Sequence, residues 1–500
     1  MVFSSLEFIY LFLPPVLLGF YVLRALRLES AIIWWLILAS FAFYAWWSPT
    51  HLLLLFGSIL FNFGIHKWLL RRHSKALFIG GVVVNLGLLA IFKYADFLIG
   101  NVNAVANLDM TELGLILPLA ISFYTFQQIS FLHDTWTARV KPCDFKRYVL
   151  FVTFFPQLIA GPIVMQRDTI PQFRLAIFTN RTILNLVLGS TLFFIGLFKK
   201  IVLADGVAPF ANAAFGLADQ GQMLPMTASW LGAVAYTFQI YFDFSGYCDM
   251  ALGLARVFGI RLPINFNSPY KALSIVEFWH RWHISLSRFL RDYLYIPLGG
   301  NRSGLLGRQG NLMVTMLLGG LWHGAGWNFI LWGALHGFYL IVNHGWTNSR
   351  VRATMRAAVP NVIYTTVCWG LTMLAVIIAW VFFRAETFQG SLVMLQSMAG
   401  LSNAVTADWL DIIPDARMAP VMLVAMLAIV ICLPNGLELT VSYRPVLSAA
   451  KELIGTRMAW WNIRWSPTPA WGLAIALVGS LSLVQIYRLN DLTEFIYFNF

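Results

Sequence analysis

Twelve apolar segments, most of them near the length that crosses a bilayer, recur along this chain and decide what it can fold into. They run near 8–23, 31–47, 51–65, 77–92, 113–131, 148–165, 183–204, 228–246, 311–342, 361–383, 418–434 and 470–487. A helix needs about 20 apolar residues to cross the hydrocarbon core. Inside lipid, backbone polar groups must be satisfied within the segment. The expected class is therefore all-α, a polytopic integral membrane bundle. Of the 500 residues, 59% are hydrophobic and 11% charged, against about 25% charged in a soluble domain. That balance excludes a soluble globular enzyme, a disordered chain and a disulfide scaffold. No polar block is long enough to bury its own core, so residues 1–500 read as one transmembrane domain. The first segment follows Met1 almost directly, without a basic leader or small-residue cleavage site, and reads as a retained anchor.

The net charge is +12. In a membrane chain such an excess collects in cytoplasmic loops and against anionic headgroups rather than marking nucleic-acid binding. Loop 66–76 carries Lys67, Arg71, Arg72 and Lys75, and loop 132–147 carries Arg139, Lys141, Lys146 and Arg147. Residues 247–310 hold eight basic side chains against Asp249, Glu277 and Asp292. Loop 343–360 has Arg350, Arg352 and Arg356, and loop 435–469 has Arg444, Lys451, Arg457 and Arg464. Stretches 93–112 and 385–416 are net acidic and read as outside, as do both ends. Two segments break the alternation. Segment 148–165, interrupted at Pro156 and at Gly161-Pro162, is expected to re-enter and return, which leaves Lys199 and Lys200 near the outer end of 183–204 without a role. Segment 311–342 has cytoplasmic flanks but too few residues for two full crossings. Partial or tilted helices broken near Gly319-Gly320 and Gly324 are expected, with a cavity around 319–328.

Two stretches concentrate chemistry. In Glu277 to Tyr293, helical spacing puts Trp279, Trp282, Leu286, Phe289, Leu290 and Tyr293 on one face and Glu277, Arg281, Arg288, Arg291 and Asp292 on the other. This predicts one amphipathic helix at the cytoplasmic interface or packed on the bundle, with His283 turned toward the protein and His280 near the polar border. For His283 a satisfied buried histidine and a functional one are equally compatible. In Gly319-Gly320-Leu-Trp322-His323-Gly324-Ala-Gly326-Trp327-Asn328, an ionisable side chain lies at membrane depth, where function is the default reading. Histidine suits proton transfer. The bland reading is close helix packing at the glycines and a histidine bonded to a carbonyl. A metal site from His280, His283 and His323 lacks a further ligand of firm spacing. The four cysteines, Cys143, Cys248, Cys368 and Cys432, are scattered and form no CxxC. Asp243 and Asp249, at a membrane boundary, have three readings: orienting a histidine, holding a polar head, or pairing structurally. Ser122 to Gln128 reads as polar contact between helices. No phosphate-binding loop or nucleophile-elbow motif is present, which leaves an ATP-driven pump and a serine hydrolase unsupported.

These stretches also carry a resemblance. Met1-Val-Phe-Ser-Ser, Phe92-Lys93-Tyr94-Ala-Asp96-Phe, Leu117-Pro118 through Phe126, Leu158 to Pro162 and Tyr241 to Tyr247 belong to it. So do Trp282-His283-Ile-Ser285-Leu-Ser287, Arg291-Asp292 through Asn301-Arg302, and Trp322-His323-Gly324. Together they resemble the membrane-bound O-acyltransferase (MBOAT) family, more closely its alginate O-acetylation branch and more distantly its teichoic acid D-alanylation branch. After about residue 345 only the hydropathy profile is similar. The resemblance implies a helical bundle with re-entrant segments around a central tunnel, with residues 270–342 holding the amphipathic helix and the catalytic segment. It implies His323 as the essential histidine and His283 as its polar partner, a position that holds Asn or Asp in lipid-acylating relatives. Trp282, Trp322, Gly324, Asn328, Asp243, Ser287 and Arg291 become candidates for lining the tunnel or touching substrate. His280 departs from the Arg of that branch, which leaves fine specificity open. The activity implied is acetyl transfer from cytosolic acetyl-CoA, with no bound cofactor. Periplasmic acetyl-transferring proteins would be partners, alginate or a similar exopolysaccharide the final acceptor, and the bacterial inner membrane the location. Arg281, Arg288, Arg291 and Arg302 would attract the CoA phosphates, and topogenic charge explains them equally well. A transporter would need paired broken helices in two matching halves, which are not seen; a scaffold would not need His323.

Overall fold

A computed structural model describes residues 1–139, 142–302, 304–401, 408–447, 463–488 and 495–496. Lys141, Lys451 and Arg457 of the basic loops lie outside them. The described residues form helices and no strand. Among the described residues, seven apolar helices are long enough to cross a membrane, and the chain is a multi-pass membrane protein.

The first helices are α1 (Leu13–Ala25), α2 (Glu29–Ala45), α3 (Pro49–Arg72) and α4 (Lys75–Ala106), then α5 (Ile121–Trp136). Ser48 and Ser74 cap α3 and α4 at their N-termini, satisfying an otherwise orphaned backbone N–H. Helix α5 starts later than the apolar run 113–131 suggests. Pro118 disfavours helix in the residue before it, and Ala120 turns left-handed at φ 62°. Residues 107–116 are exposed, held by the Asp96 carboxylate, which accepts from Leu113 N (2.7 Å) and Gly114 N (3.1 Å). Gln128 Oε1 accepts from Ser58 Oγ and Asn62 Nδ2, both at 2.7 Å. Asn62 and Asn85 exchange amide bonds, so polar side chains join α3, α4 and α5 as the sequence suggests.

Segment 148–165 is not a continuous helix. It is built from α6 (Phe145–Thr153), α7 (Phe155–Leu158) and irregular buried chain, followed by α8 (Gln166–Thr169) and α9 (Leu175–Phe178). Helix α10 (Thr182–Phe198) runs through a π-turn at Lys199–Ala204 into α11 (Asp205–Asp219). Lys199 and Lys200 thus lie mid-run, not at its end. Lys199 Nζ pairs with Asp249 at 2.6 Å, and Lys200 Nζ with Asp205 and Asp243, both at 2.8 Å. Both acidic partners from the Tyr241–Asp249 stretch lie on α12 (Met226–Val257).

Helices α10 and α12 cross with glycine against glycine. A Cβ on Gly253 would lie 2.5 Å from Gly189 O and 2.7 Å from Phe193 N. A side chain there must push two backbones apart. Gly253→Val is expected to lower stability by about 1–3 kcal/mol or more, read as a lower thermal unfolding midpoint in detergent. An unchanged midpoint would show that the crossing can spread freely.

The helix expected over 277–293 is broken. Helix α13 (Ile275–Arg281) and helix α14 (Ile284–Leu290) meet at a corner, and Arg291–Tyr295 follows as a π-turn. His283 forms the corner at φ 44°, ψ 50°. The apolar face is buried as the spacing predicts, except that Tyr293 is half-buried. Arg281, placed on the polar face, is buried too, because Glu277 Oε1 (2.7 Å) and Asn267 O (3.1 Å) accept from it. Next comes a hairpin of α15 (Gly304–His323) and α16 (Trp327–Thr347). At 1.5 Å per residue each is about 30 Å long. The expectation of partial helices fails because the helices extend beyond 311–342 at both ends. The break falls at Gly324–Gly326 alone; Gly319 and Gly320 stay helical. The hairpin packs backbone to backbone, since a Cβ on Gly320 would meet Phe329 O and one on Gly333 would meet Met316 O. The remaining helices are α17 (Arg350–Ala358), α18 (Asn361–Arg384), α19 (Phe388–Met398), α20 (Trp409–Ile412), α21 (Ala419–Cys432), α22 (Gly436–Thr440) and α23 (Pro469–Arg488).

Candidate active site

The corner and the hairpin tip bring the two histidines together. His283, fully buried, and His323, 2% exposed, face each other with ring centres 6.3 Å apart and planes at 59°. The walls are aromatic: Phe244 stands edge-on to His283 at 4.8 Å, and Trp322, Trp332 and Phe383 pack around His323 at 4.8–5.1 Å. Such a lining excludes water and strengthens electrostatic interactions inside it.

The orientation of His283 follows from its partner. Asn265 Oδ1 accepts the Ser285 backbone N–H (3.2 Å) and hydroxyl (2.8 Å), and lies 3.1 Å from His283 Nδ1. An atom that receives a backbone N–H is the amide oxygen, so Nδ1 must donate. In the neutral ring the lone pair is then on Nε2. Asn265 Nδ2 donates to Cys248 Sγ at 3.2 Å, and Ser285 Oγ accepts from Ile163 N at 3.0 Å. Asn265→Ala is expected to leave buried donors unpaired, costing about 1–3 kcal/mol. It should also lower turnover per folded protein. Thermal unfolding and single-turnover rates check the two separately.

The tip itself is held from α4. Lys93 Nζ donates to Trp322 O (2.5 Å) and His323 O (3.2 Å), and the Tyr94 hydroxyl donates to Leu321 O (2.9 Å). Beyond the tip lies a cavity of 810 Å³, lined by Tyr236, Gln239, Asn328, Phe329, Phe383 and Arg384 among others. A second, of 460 Å³, is lined by Lys93, Asp96 and Glu112 and shares Phe97, Ala325 and Trp327 with the first. Asp96 and Glu112 line the second cavity, and Glu386 lines the first. Neither histidine lines them; Phe383 lines the first and packs on His323 at 5.1 Å.

The other candidates divide. Trp322 stacks on Phe126 at 5.2 Å and walls the site. Trp282 is 1% exposed and packs on Trp380 at 4.9 Å, as part of the aromatic core. Gly324 leaves room for the Phe329 ring, which a Cβ there would strike. Asn328 is buried in the cavity wall, its Nδ2 donating to Ala385 O at 2.8 Å. Ser287 donates its N–H to His283 O at 3.0 Å. Asp243 points its carboxylate at partners other than the histidines. Its carboxylate is taken by Lys200 and by Ile496 N at 3.0 Å, the structural reading of the three. Arg291 is 60% exposed and bonded to Asp292, so it does not line an enclosed tunnel. His280 is exposed and stays apart from the pair. Sequence reasoning missed Asn265, whose only signal is a polar Asn-Phe-Asn-Ser run before α13. It also missed a third histidine, His336, fully buried and receiving Trp279 Nε1–H at 3.3 Å.

Comparison with known proteins decides the family. Residues 133–381 match the profile of MBOAT, the membrane-bound O-acyltransferase family. The chain is 43% identical over 433 residues to the peptidoglycan O-acetyltransferase of Helicobacter pylori, covering 81% of this chain and 80% of that one. The chain belongs to the membrane-bound O-acyltransferase family. It is 42% identical over 413 residues to the probable alginate O-acetylase AlgI of Pseudomonas aeruginosa, covering 80% of this chain and 75% of the relative. A more distant relative is the teichoic acid D-alanyltransferase of Bacillus subtilis, 26% identical over 276 residues, 53% of this chain and 67% of the other. As an MBOAT protein the chain is a membrane acyltransferase.

Proposed function

We propose that this MBOAT protein transfers acetyl groups from cytosolic acetyl-CoA to a hydroxyl on the outer side of the bacterial inner membrane, for O-acetylation of alginate or a similar exopolysaccharide. The observation that carries the reading is the pair of buried histidines, ring centres 6.3 Å apart, with the 810 Å³ cavity nearby, where Phe383 lines the cavity and packs on His323. In this reading His323 removes the proton of the acceptor hydroxyl as its oxygen attacks the thioester carbon. The C–S bond then breaks, and the CoA thiolate takes the proton back from the imidazolium. His283, with its lone pair on Nε2, accepts a hydrogen bond. This favours holding the tautomer of His323 over stabilising an oxyanion, which needs a donor. CoA is too large and charged to cross, so only the acetyl group travels. Periplasmic partner proteins would carry it to the polymer. Arg288 and Arg302 remain for the CoA phosphates, whereas Arg281 is committed to Glu277 and Arg291 to Asp292.

The test uses inverted membrane vesicles containing the chain and its periplasmic partners, supplied with acetyl-labelled CoA. Chain-dependent release of CoA with label passing to a partner or polymer is expected. No transfer under those conditions would overturn the donor assignment.

A further inference from the structure

Lys93 is a lone cation in the middle of α4, 19th of its 32 residues. A half-buried ammonium at such depth is costly unless it is paired. Among the described residues, no carboxylate forms an ion pair with it. The nearby Asp96 is occupied by the backbone of Leu113 and Gly114. Instead the ammonium serves the last carbonyls of α15, at Trp322 and His323, and it lies over the Trp322 ring at 5.9 Å. Ser122 Oγ, at 3.5 Å, supports it from α5. A helix leaves its final carbonyls unsatisfied and carries partial negative charge there. Here one of those carbonyls belongs to His323 itself.

The geometry points to Lys93 as the positioning residue for His323, and we propose that it locks the backbone of the hairpin tip so that the imidazole meets its substrate in one orientation. This rests on the reading of His323 as the base. Tyr94 offers an internal comparison. It bonds the same helix end through a neutral hydroxyl, two residues earlier. If the two side chains merely finish a helix, losing either has a similar, structural consequence. If Lys93 positions His323, its loss falls on the chemical step.

The test compares Lys93→Met, Lys93→Arg and Tyr94→Phe in the full-length protein, at equal folded amount, alongside His323→Ala. Lys93→Met is expected to lower kcat on the order of 10- to 100-fold with little change in the KM for acetyl-CoA. Lys93→Arg should recover part of the loss, and Tyr94→Phe should stay within about threefold. A second readout does not depend on the donor: the ¹⁵N imidazole resonances of His323 in labelled protein. They should move in Lys93→Met and stay in place in Tyr94→Phe. Loss of activity in His323→Ala with unchanged kcat and resonances in Lys93→Met would overturn the proposal while leaving the function standing. If wild type transfers no acetyl, the resonances alone decide: movement supports the positioning role and its absence sinks it.

Discussion

His323→Ala and His323→Gln are both expected to reduce acetyl transfer by about 10²- to 10⁴-fold, the usual contribution of a positioned acid–base group, without preventing folding. Glutamine keeps hydrogen-bonding capacity but cannot take a proton, so it separates base chemistry from polarity. The walls around His323 are the aromatic rings of Trp322, Trp332 and Phe383. What remains is a cavity in a well-packed site. The measurement is single-turnover release of CoA in vesicles, normalised to folded protein by size-exclusion profile. If glutamine supports wild-type turnover, His323 is not the base and the hydroxyl is activated by another group. Full transfer in both variants would leave the pair of imidazoles without a catalytic role.

The second large effect concerns stability. Lys200 is 4% exposed and sits between Asp205 and Asp243, with no water-facing alternative for either carboxylate. Lys200→Met takes the cation away from both, and breaking one side of a buried pair costs about 3–5 kcal/mol. The variant is expected to be lost from the monodisperse fraction in detergent. The double change Lys200→Met with Asp243→Asn should recover part of the loss, since one stranded charge is removed and the amide still accepts from Ile496 N. A Lys200→Met protein that purifies and unfolds like wild type would show that the acids are held by something else.

Much of this arrangement was legible in the residues. Apolar runs gave most of the long helices, because a bilayer leaves little other use for them. Trp322-His323-Gly324 and Trp282-His283 were recognisable because imidazoles at membrane depth are rare without purpose. What escaped has a common cause: it depends on partners distant in the chain. Lys199 and Lys200 make no sense along their own helix and full sense against α12, 43 to 50 residues later. The break at Trp282–His283 is invisible to a helical wheel, since the residues on either side keep helical spacing. Asn265 is tied to His283 by a loop whose fold no local pattern announces. The hairpin was misjudged from hydropathy because polar residues at both ends, such as Arg308 and Asn343, lie inside the helices.

The corner at His283 restricts what the position can become. At φ 44° the backbone is one that β-branched and bulky side chains adopt only with strain, while asparagine, aspartate and histidine enter it more readily. Those are the residue types that the family resemblance assigns to this position across acetyl- and lipid-transferring branches. The backbone thus narrows the choice before any chemistry is asked of the side chain. Drift between substrate classes then passes through a short alphabet, and a change such as His283→Val strains the corner whatever the reaction tolerates.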